Sequence, residues 1–401
     1  MSPVPAIARV ADIINAEAEL CSCRILVVDG SQLEREQIAT ILKFSGFWNL
    51  EFAGDGATAV QLIPRFQPDL VILPAKMAGL SGLQLCRQLR AAAATADLPV
   101  LVTAAISDQT SRSAAYQVGA SDFLTKPLHG DELIARTRAH LHRQVVMRGL
   151  RNSVRQMEED FEVARGMQVA LLPSAASLQS IAAATGVAVG AYFHPSAMLG
   201  GDIWGVSDLG DGRIGVYVAD FAGHGVSAAL NTFRLHTLVQ ELQPLQNSPD
   251  RLLHEMNARL AALLPVGQFA TMLFGIIDTA ADRFCYAAAG TPTPLLWDPT
   301  GSDIIGLDAA GIPLGITDDA RYEKRNAAMP PGAGLVIFSD GLFDPCRHDG
   351  SAAGEAAVAA AARRLLGVSD PTEFVNALSL ELLGASEQPP ADDITIVCLR
   401  R

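Results

Sequence analysis

The chain contains no apolar run approaching the ~18–20 residues needed to cross a bilayer, so no part of it reads as a membrane span. Charge is also scarce. Only 18% of its 401 residues are charged, and 30 Lys and Arg against 43 Asp and Glu leave a net charge of −13. General nucleic-acid binding requires concentrated Lys and Arg to neutralise phosphates, and there is no basic recognition helix, so that class is excluded. The six cysteines are scattered, and Cys21-Ser22-Cys23 lacks the two-residue gap of a redox or zinc pair. They read as reduced, mostly buried thiols. The first residues hold one arginine, an acidic Asp12 and no small-residue cleavage site behind a long apolar core, which is not a signal-peptide pattern. The expected location is the cytoplasm.

Core material is abundant. A hydrophobic content of 49% over this length predicts a globular protein of two or three domains. Residues 1–23 read as a short leader, with Ile7, Val10, Ile13 and Ile14 at near-helical spacing. From 24 to 140, short apolar runs alternate with amphipathic helices: strands at Ile25–Val28, Asp69–Leu73, Leu98–Val102 and Asp122–Thr125, and a helix over Gln32–Phe44. That alternation predicts a doubly wound parallel α/β sheet.

Residues 141–173 differ. Val146, Leu150, Val154, Met157, Phe161, Ala164, Gln168 and Leu171 recur at three- and four-residue steps before Pro173. The spacing approaches a heptad seam, which predicts a helical linker and a dimeric coiled coil, although Gly166 and Gln168 weaken the seam near its end. From 174 to 401, strand-like runs (Val187–Tyr192, Gly215–Ala219, Met272–Ile277, Arg283–Ala287, Leu335–Phe338, Ile394–Leu399) surround two helical stretches, Val226–Glu241 and Pro249–Leu264. Strands and helices in separate blocks predict an α+β domain.

Four aspartates in that last region sit in short, distinctive runs: Gly200-Gly201-Asp202, Val218-Ala219-Asp220-Phe221-Ala222-Gly223-His224-Gly225, Phe338-Ser339-Asp340-Gly341 and Asp392-Asp393-Ile394-Thr395. Carboxylate oxygens are hard ligands suited to Mg²⁺ or Mn²⁺. Strand ends meeting at one place assemble a two-metal centre able to activate water against a phosphate ester. Each run alone has a bland reading, since Ser-Asp-Gly is a common turn. Their joint occurrence makes the case. Asp208, Asp211, Asp278 and Asp282 lie in turn-like settings and are read as structural.

These runs resemble the metal-dependent PPM (protein phosphatase 2C-like) enzymes, in their bacterial SpoIIE/RsbU-type branch, which dephosphorylates phosphoserine or phosphothreonine on partner proteins. The likeness extends from Ala164 to the C-terminus and includes Ala164-Arg165, Gln168, Leu171-Leu172-Pro173, Phe269-Ala270-Thr271, Ala289-Gly290 and Pro313-Leu314-Gly315-Ile316. It departs at Thr291, where many relatives have histidine. The resemblance implies two sheets packed face to face with helices outside. It implies two Mn²⁺ or Mg²⁺ ions, with Asp202 and Asp220 shared between them, the Phe221 carbonyl completing one shell, and Asp340 and Asp392 on the other. Water held by both dications would attack phosphorus in line. Gly201 would let backbone approach the metals, and Asp393 would orient Asp392 or a bound water. His224 reads either as a general acid or as a turn residue before the Val226 helix. The implied partner is a phosphorylated protein such as an anti-sigma-factor antagonist.

Residues 24–140 resemble the receiver domain of response regulators through Ile25-Leu26-Val27-Val28-Asp29, Gly79-Leu80-Ser81-Gly82 and Thr125-Lys126-Pro127. That family's chemistry needs an acidic pair and an aspartate acceptor at the end of the third strand. Here the pair is Asp29-Gly30, and the run Asp69-Leu70-Val71-Ile72-Leu73-Pro74 puts Pro74 at the acceptor position. The switch hydroxyl position falls on Ala104, with Thr103 one place early. A receiver that is not phosphorylated is expected, with Lys126 left as a structural charge paired with Asp29. The main expectation is therefore a phosphatase controlled by a pseudo-receiver. The competing one is a non-enzymatic adaptor using both domains to bind partners.

Overall fold

The structure is a computed structural model, and it describes residues 17–106, 108–223, 225–300, 304–346, 351–384 and 390–401. His224 and residues 1–16, most of the expected leader, lie outside the described residues. The chain divides into two compact units, Met1–Gln156 and Met157–Arg401.

In the first unit, β1 (Ile25–Val28), β2 (Leu50–Ala53), β3 (Leu70–Pro74), β4 (Val100–Ala105) and β5 (Asp122–Lys126) form one parallel sheet in the order β2-β1-β3-β4-β5. β1 and β3 are buried along their whole length, because strands covered by helices on both faces carry continuous apolar runs. Leu26, Val28, Val71, Leu73, Val100 and Val102 pack into one core. Ile25, Val27, Leu70, Ile72, Leu101 and Leu124 pack into the other. Local signals place the helices. Ser31 caps Gln32–Phe44 by accepting from the Glu34 amide, and Ser81 forms a capping box with Gln84 before Gly82–Ala91.

One helix, Gly130–Val169, contains both the end of the receiver-like region and nearly all of the predicted linker. The boundary between the two units falls within it. Its seam residues Val146, Leu150, Val154 and Met157 are exposed. Further along, Gln168 is buried.

The second unit is a sandwich of two antiparallel five-stranded sheets. One has the order β13 (Arg325–Ala328), β10 (Arg283–Ala289), β9 (Ala270–Asp278), β8 (Arg213–Phe221), β7 (Asp202–Gly210). The other has the order β12 (Ile304–Gly306), β11 (Leu295–Trp297), β14 (Gly334–Phe338), β15 (Ile394–Arg400), β6 (Ala188–His194). Trp204, Val216, Val218 and Leu273 meet Leu335, Ile337, Val397 and Leu399 between the sheets. Helices Val226–Glu241 and Pro249–Leu263 cover the outer face of the first sheet. Helices Ser351–Arg364 and Pro371–Leu383 cover that of the second. The predicted layers, α/β in one unit and α+β in the other, are both present.

Side chains alternate across a strand, and this alternation aims the aspartates. Trp204 of β7 and Val218 of β8 face the inter-sheet core, whereas Ile203 and Ala219 face the helices. Asp202 and Asp220 share the parity of Trp204 and Val218. They therefore stand at the end of the sandwich, on the side where the sheets face each other.

Candidate metal centre

β7 and β8 pair so that Asp202 lies directly opposite Asp220. Asp202 is 1% exposed, and Asp220 is partly open to solvent. From the opposite sheet, the Thr395 hydroxyl donates to Asp202 Oδ2 at 2.6 Å. Asp202 Oδ1 is buried with no hydrogen-bond partner. Thr395 is held in turn by Ser339: its amide donates to Ser339 Oγ at 2.9 Å, and the Ser339 amide donates to the Thr395 carbonyl at 2.9 Å. Ser339 precedes Asp340, which opens the 3-10 turn Asp340–Cys346. Asp392 precedes β15, and its Oδ1 accepts from the Asp393 amide at 2.9 Å.

The electrostatics reflect this crowding. Burial is the main cause that pushes the Asp202 carboxyl up to about 8, with the Asp393 charge adding to it and the Thr395 and Ser339 hydroxyls opposing. Asp220 is raised well above the usual carboxylate range by burial and then by the charges of Asp202, Asp340 and Asp392. The other three motif aspartates thus each act on Asp220 through space. Among the described residues, no three His, Cys, Asp or Glu side chains close around a single point as a ready-made cage.

The residues present nonetheless fit a hard dication. A buried carboxylate oxygen lacks a partner, mutual repulsion awaits a counter-charge, and the donors are oxygens. The backbone fits too. A Cβ on Gly201 would come within 2.8 Å of the Phe221 carbonyl oxygen and 3.1 Å of that of Gly223. Glycine at 201 keeps these carbonyls uncovered, and Gly223, with φ of 91°, takes a turn that other residues resist.

Both oxygens of Asp393 are engaged away from Asp392. Oδ1 accepts from the Ser196 amide at 2.6 Å and from its hydroxyl at 2.8 Å, while Oδ2 accepts from the Gly201 amide. Gln168 is also wired into this region. Its Nε2 donates to the Gly200 carbonyl at 2.7 Å and to Thr232 Oγ1 at 3.1 Å, and its Oε1 accepts from the Gly200 amide at 3.2 Å. Nothing in the sequence alone gives Thr395, Ser196 or Thr232 a role, and Gln168 stands there only among the residues that carry the family resemblance. Thr395 had one usable signal: it follows Asp393 by two residues in a strand whose other face is apolar.

Two family models match the chain. One, for the response regulator receiver domain, covers residues 25–138, and the other, for stage II sporulation protein E (SpoIIE), covers residues 210–401. The chain carries a receiver domain and a SpoIIE-type domain. Phosphoserine phosphatase RsbP of Bacillus subtilis (strain 168) is 29% identical over 163 residues, 40% of this chain and 40% of RsbP. Response regulator MprA of Mycobacterium sp. (strain KMS) is 44% identical over 120 residues, 30% of this chain and 51% of MprA. The chain therefore spans only about two-fifths to a half of the length of these curated relatives. Among solved structures, the SiaA-PP2C domain of Pseudomonas aeruginosa aligns with a TM-score of 0.52 and 21% identity, covering 62% of this chain and 98% of that domain. This last likeness is one of fold.

In the receiver domain, β3 ends on Pro74, which lies opposite Thr103 of β4. Lys126 at the end of β5 donates to Asp29 Oδ2 at 2.7 Å and lies 3.5 Å from Glu34. Asp29 is 6% exposed, and its other oxygen accepts from the Ser31 amide at 2.9 Å. The charges left in this pocket satisfy one another.

Proposed function

We propose that the chain is a metal-dependent protein-serine/threonine phosphatase of bacterial signalling, controlled by a receiver-like domain that does not accept phosphate. The observation that carries the reading is the cross-strand pair Asp202–Asp220, with Asp202 Oδ1 buried and unpartnered and both carboxyls raised. RsbP, similar over part of its length, is described as a phosphoserine phosphatase. Asp202, Asp220, the Phe221 carbonyl, Asp340 and Asp392 are the groups that would hold two Mn²⁺ or Mg²⁺ ions. Bound there, the ions would supply a nucleophilic water at neutral pH and charge stabilisation for the phosphoryl group.

The chain's own residues supply the arrangement. Thr395 and Ser339 fix the Asp202 carboxylate, Gly201 leaves carbonyls uncovered, and Asp220 completes the pair at the rim. Pro74 offers no nucleophile in the receiver domain, and Lys126 is already neutralised by Asp29. Control by that domain would run through helix Gly130–Val169, whose exposed seam also suits a homodimer. The substrate is read as a phosphorylated partner protein, such as an anti-sigma-factor antagonist, in the cytoplasm. No helix among the described residues is long and apolar enough to cross a membrane.

One observation favours the adaptor reading: no three metal-ligating side chains close on one point among the described residues. Hydrolysis of para-nitrophenyl phosphate decides between them. Mn²⁺-dependent turnover that differs between the full chain and one beginning at Glu158 supports a regulated phosphatase. No turnover in either, with no Mn²⁺ bound, supports the adaptor.

A further inference from the structure

Asp393 is 3% exposed, and its side-chain and main-chain groups hydrogen-bond with the segments that carry Asp202, Asp340 and Asp392. Its carboxylate gathers the loop before β7. Oδ1 holds the amide and hydroxyl of Ser196, and Oδ2 holds the amide of Gly201, the residue before Asp202. Its carbonyl oxygen accepts from Ser339 Oγ at 3.3 Å and lies against Gly341, where any added Cβ would collide with it, so it fixes the turn carrying Asp340. Its amide donates to Asp392 Oδ1 at 2.9 Å. We propose that Asp393 is a positioning residue whose carboxylate ties the loop bearing Asp202 to the strand start that follows Asp392, while its main chain meets the turn carrying Asp340, shaping the site for a divalent cation. The inference rests on the metal-centre reading for its cation, but the positioning stands on hydrogen bonds alone.

The chemistry demands a carboxylate. Three donors, two N–H groups and one O–H, are spread over both oxygens. An asparagine would have one oxygen and one NH₂. Whichever way its amide turned, an NH₂ would face the N–H of Ser196 or of Gly201. The geometry also explains why Gly200 is glycine, since a Cβ there would lie 2.8 Å from Asp393 Oδ2.

The test uses the full chain, with Asp393→Asn and, as the milder variant, Ser196→Ala. Hydrogen exchange is followed in metal-free protein, and Mn²⁺ affinity is measured by calorimetry. Asp393→Asn should speed exchange in peptides covering 195–203, leave those covering 338–343, strands β8 to β10 and the receiver domain unchanged, and weaken Mn²⁺ binding about ten- to hundredfold. Ser196→Ala should move the 195–203 peptides in the same direction by less. If Asp393→Asn exposes the whole second unit, the Ser196→Ala pattern decides alone. Faster exchange at the 195–203 peptides in a protein whose wild type binds no Mn²⁺ supports the positioning and refutes the metal centre. Unchanged exchange at those peptides with unchanged Mn²⁺ affinity overturns the proposal.

Discussion

The Thr395 hydroxyl, on the strand that pairs with β14, donates to Asp202 Oδ2, on the first residue of β7 in the facing sheet, at 2.6 Å. The bond joins the two sheets at the end where the aspartates gather. Thr395→Val keeps the shape and removes the donor, leaving a buried carboxylate oxygen unsatisfied. The expected cost is about 1–3 kcal/mol of stability, read as a lower denaturant midpoint with an unchanged slope. Thr395→Ser should recover most of it.

The raised carboxyls predict a pH dependence. Folded Asp202 titrates at about 8, above the usual carboxylate value of about 4. The folded state therefore binds a proton that the unfolded state has already released. The stabilisation this gives is full below about pH 4 and is lost as pH rises through about 8. Metal-free protein should melt at a lower temperature at pH 8 than at pH 6. Mn²⁺, which competes with that proton, should raise the melting temperature more at pH 8. Equal Mn²⁺ shifts at both values would count against the carboxylates as its site.

Gln168 buries an amide whose hydrogen bonds reach Gly200 and Thr232. Gln168→Leu strips them from the turn that carries Asp202. Stability should fall by about 1–3 kcal/mol, and turnover should fall with it. Loss of turnover at unchanged stability would instead mark Gln168 as a coupling element between the helix and the site.

The receiver domain should not take phosphate. Incubation with acetyl phosphate and Mg²⁺, followed by intact-mass measurement, should show no added phosphoryl group. Pro74 has no nucleophile, and the buried Asp29 is held by Lys126 and Ser31. Stable labelling within residues 25–126 would identify a different acceptor.

The sequence was most readable where burial leaves a continuous trace. β1 and β3 are buried on both faces and stand out as apolar runs. β7 escaped notice because Gly205, Ser207 and Asp208 break its alternation. β11 and β12 are only three residues each. The helix Ser351–Arg364 is alanine-rich and shows no strong apolar stripe. At the candidate site, the aspartates stand out through flanking glycines or a small residue at strand ends. Their supports did not, because hydrogen bonds such as Thr395–Asp202 and Ser196–Asp393 join residues 193 and 197 positions apart. No local pattern records such pairings.

If Asp220 and its neighbours form a catalytic metal centre, Asp220→Asn removes one of its ligands. Wild type and variant are compared for Mn²⁺-dependent release of phosphate from para-nitrophenyl phosphate, with the melting temperature of each metal-free protein measured alongside. Turnover should fall by roughly a hundredfold or more, as expected when several kcal/mol of transition-state stabilisation is lost. The metal-free melting temperature should be equal or higher, because a repelling charge has been removed. Wild-type turnover in the variant would rule out a catalytic role for Asp220.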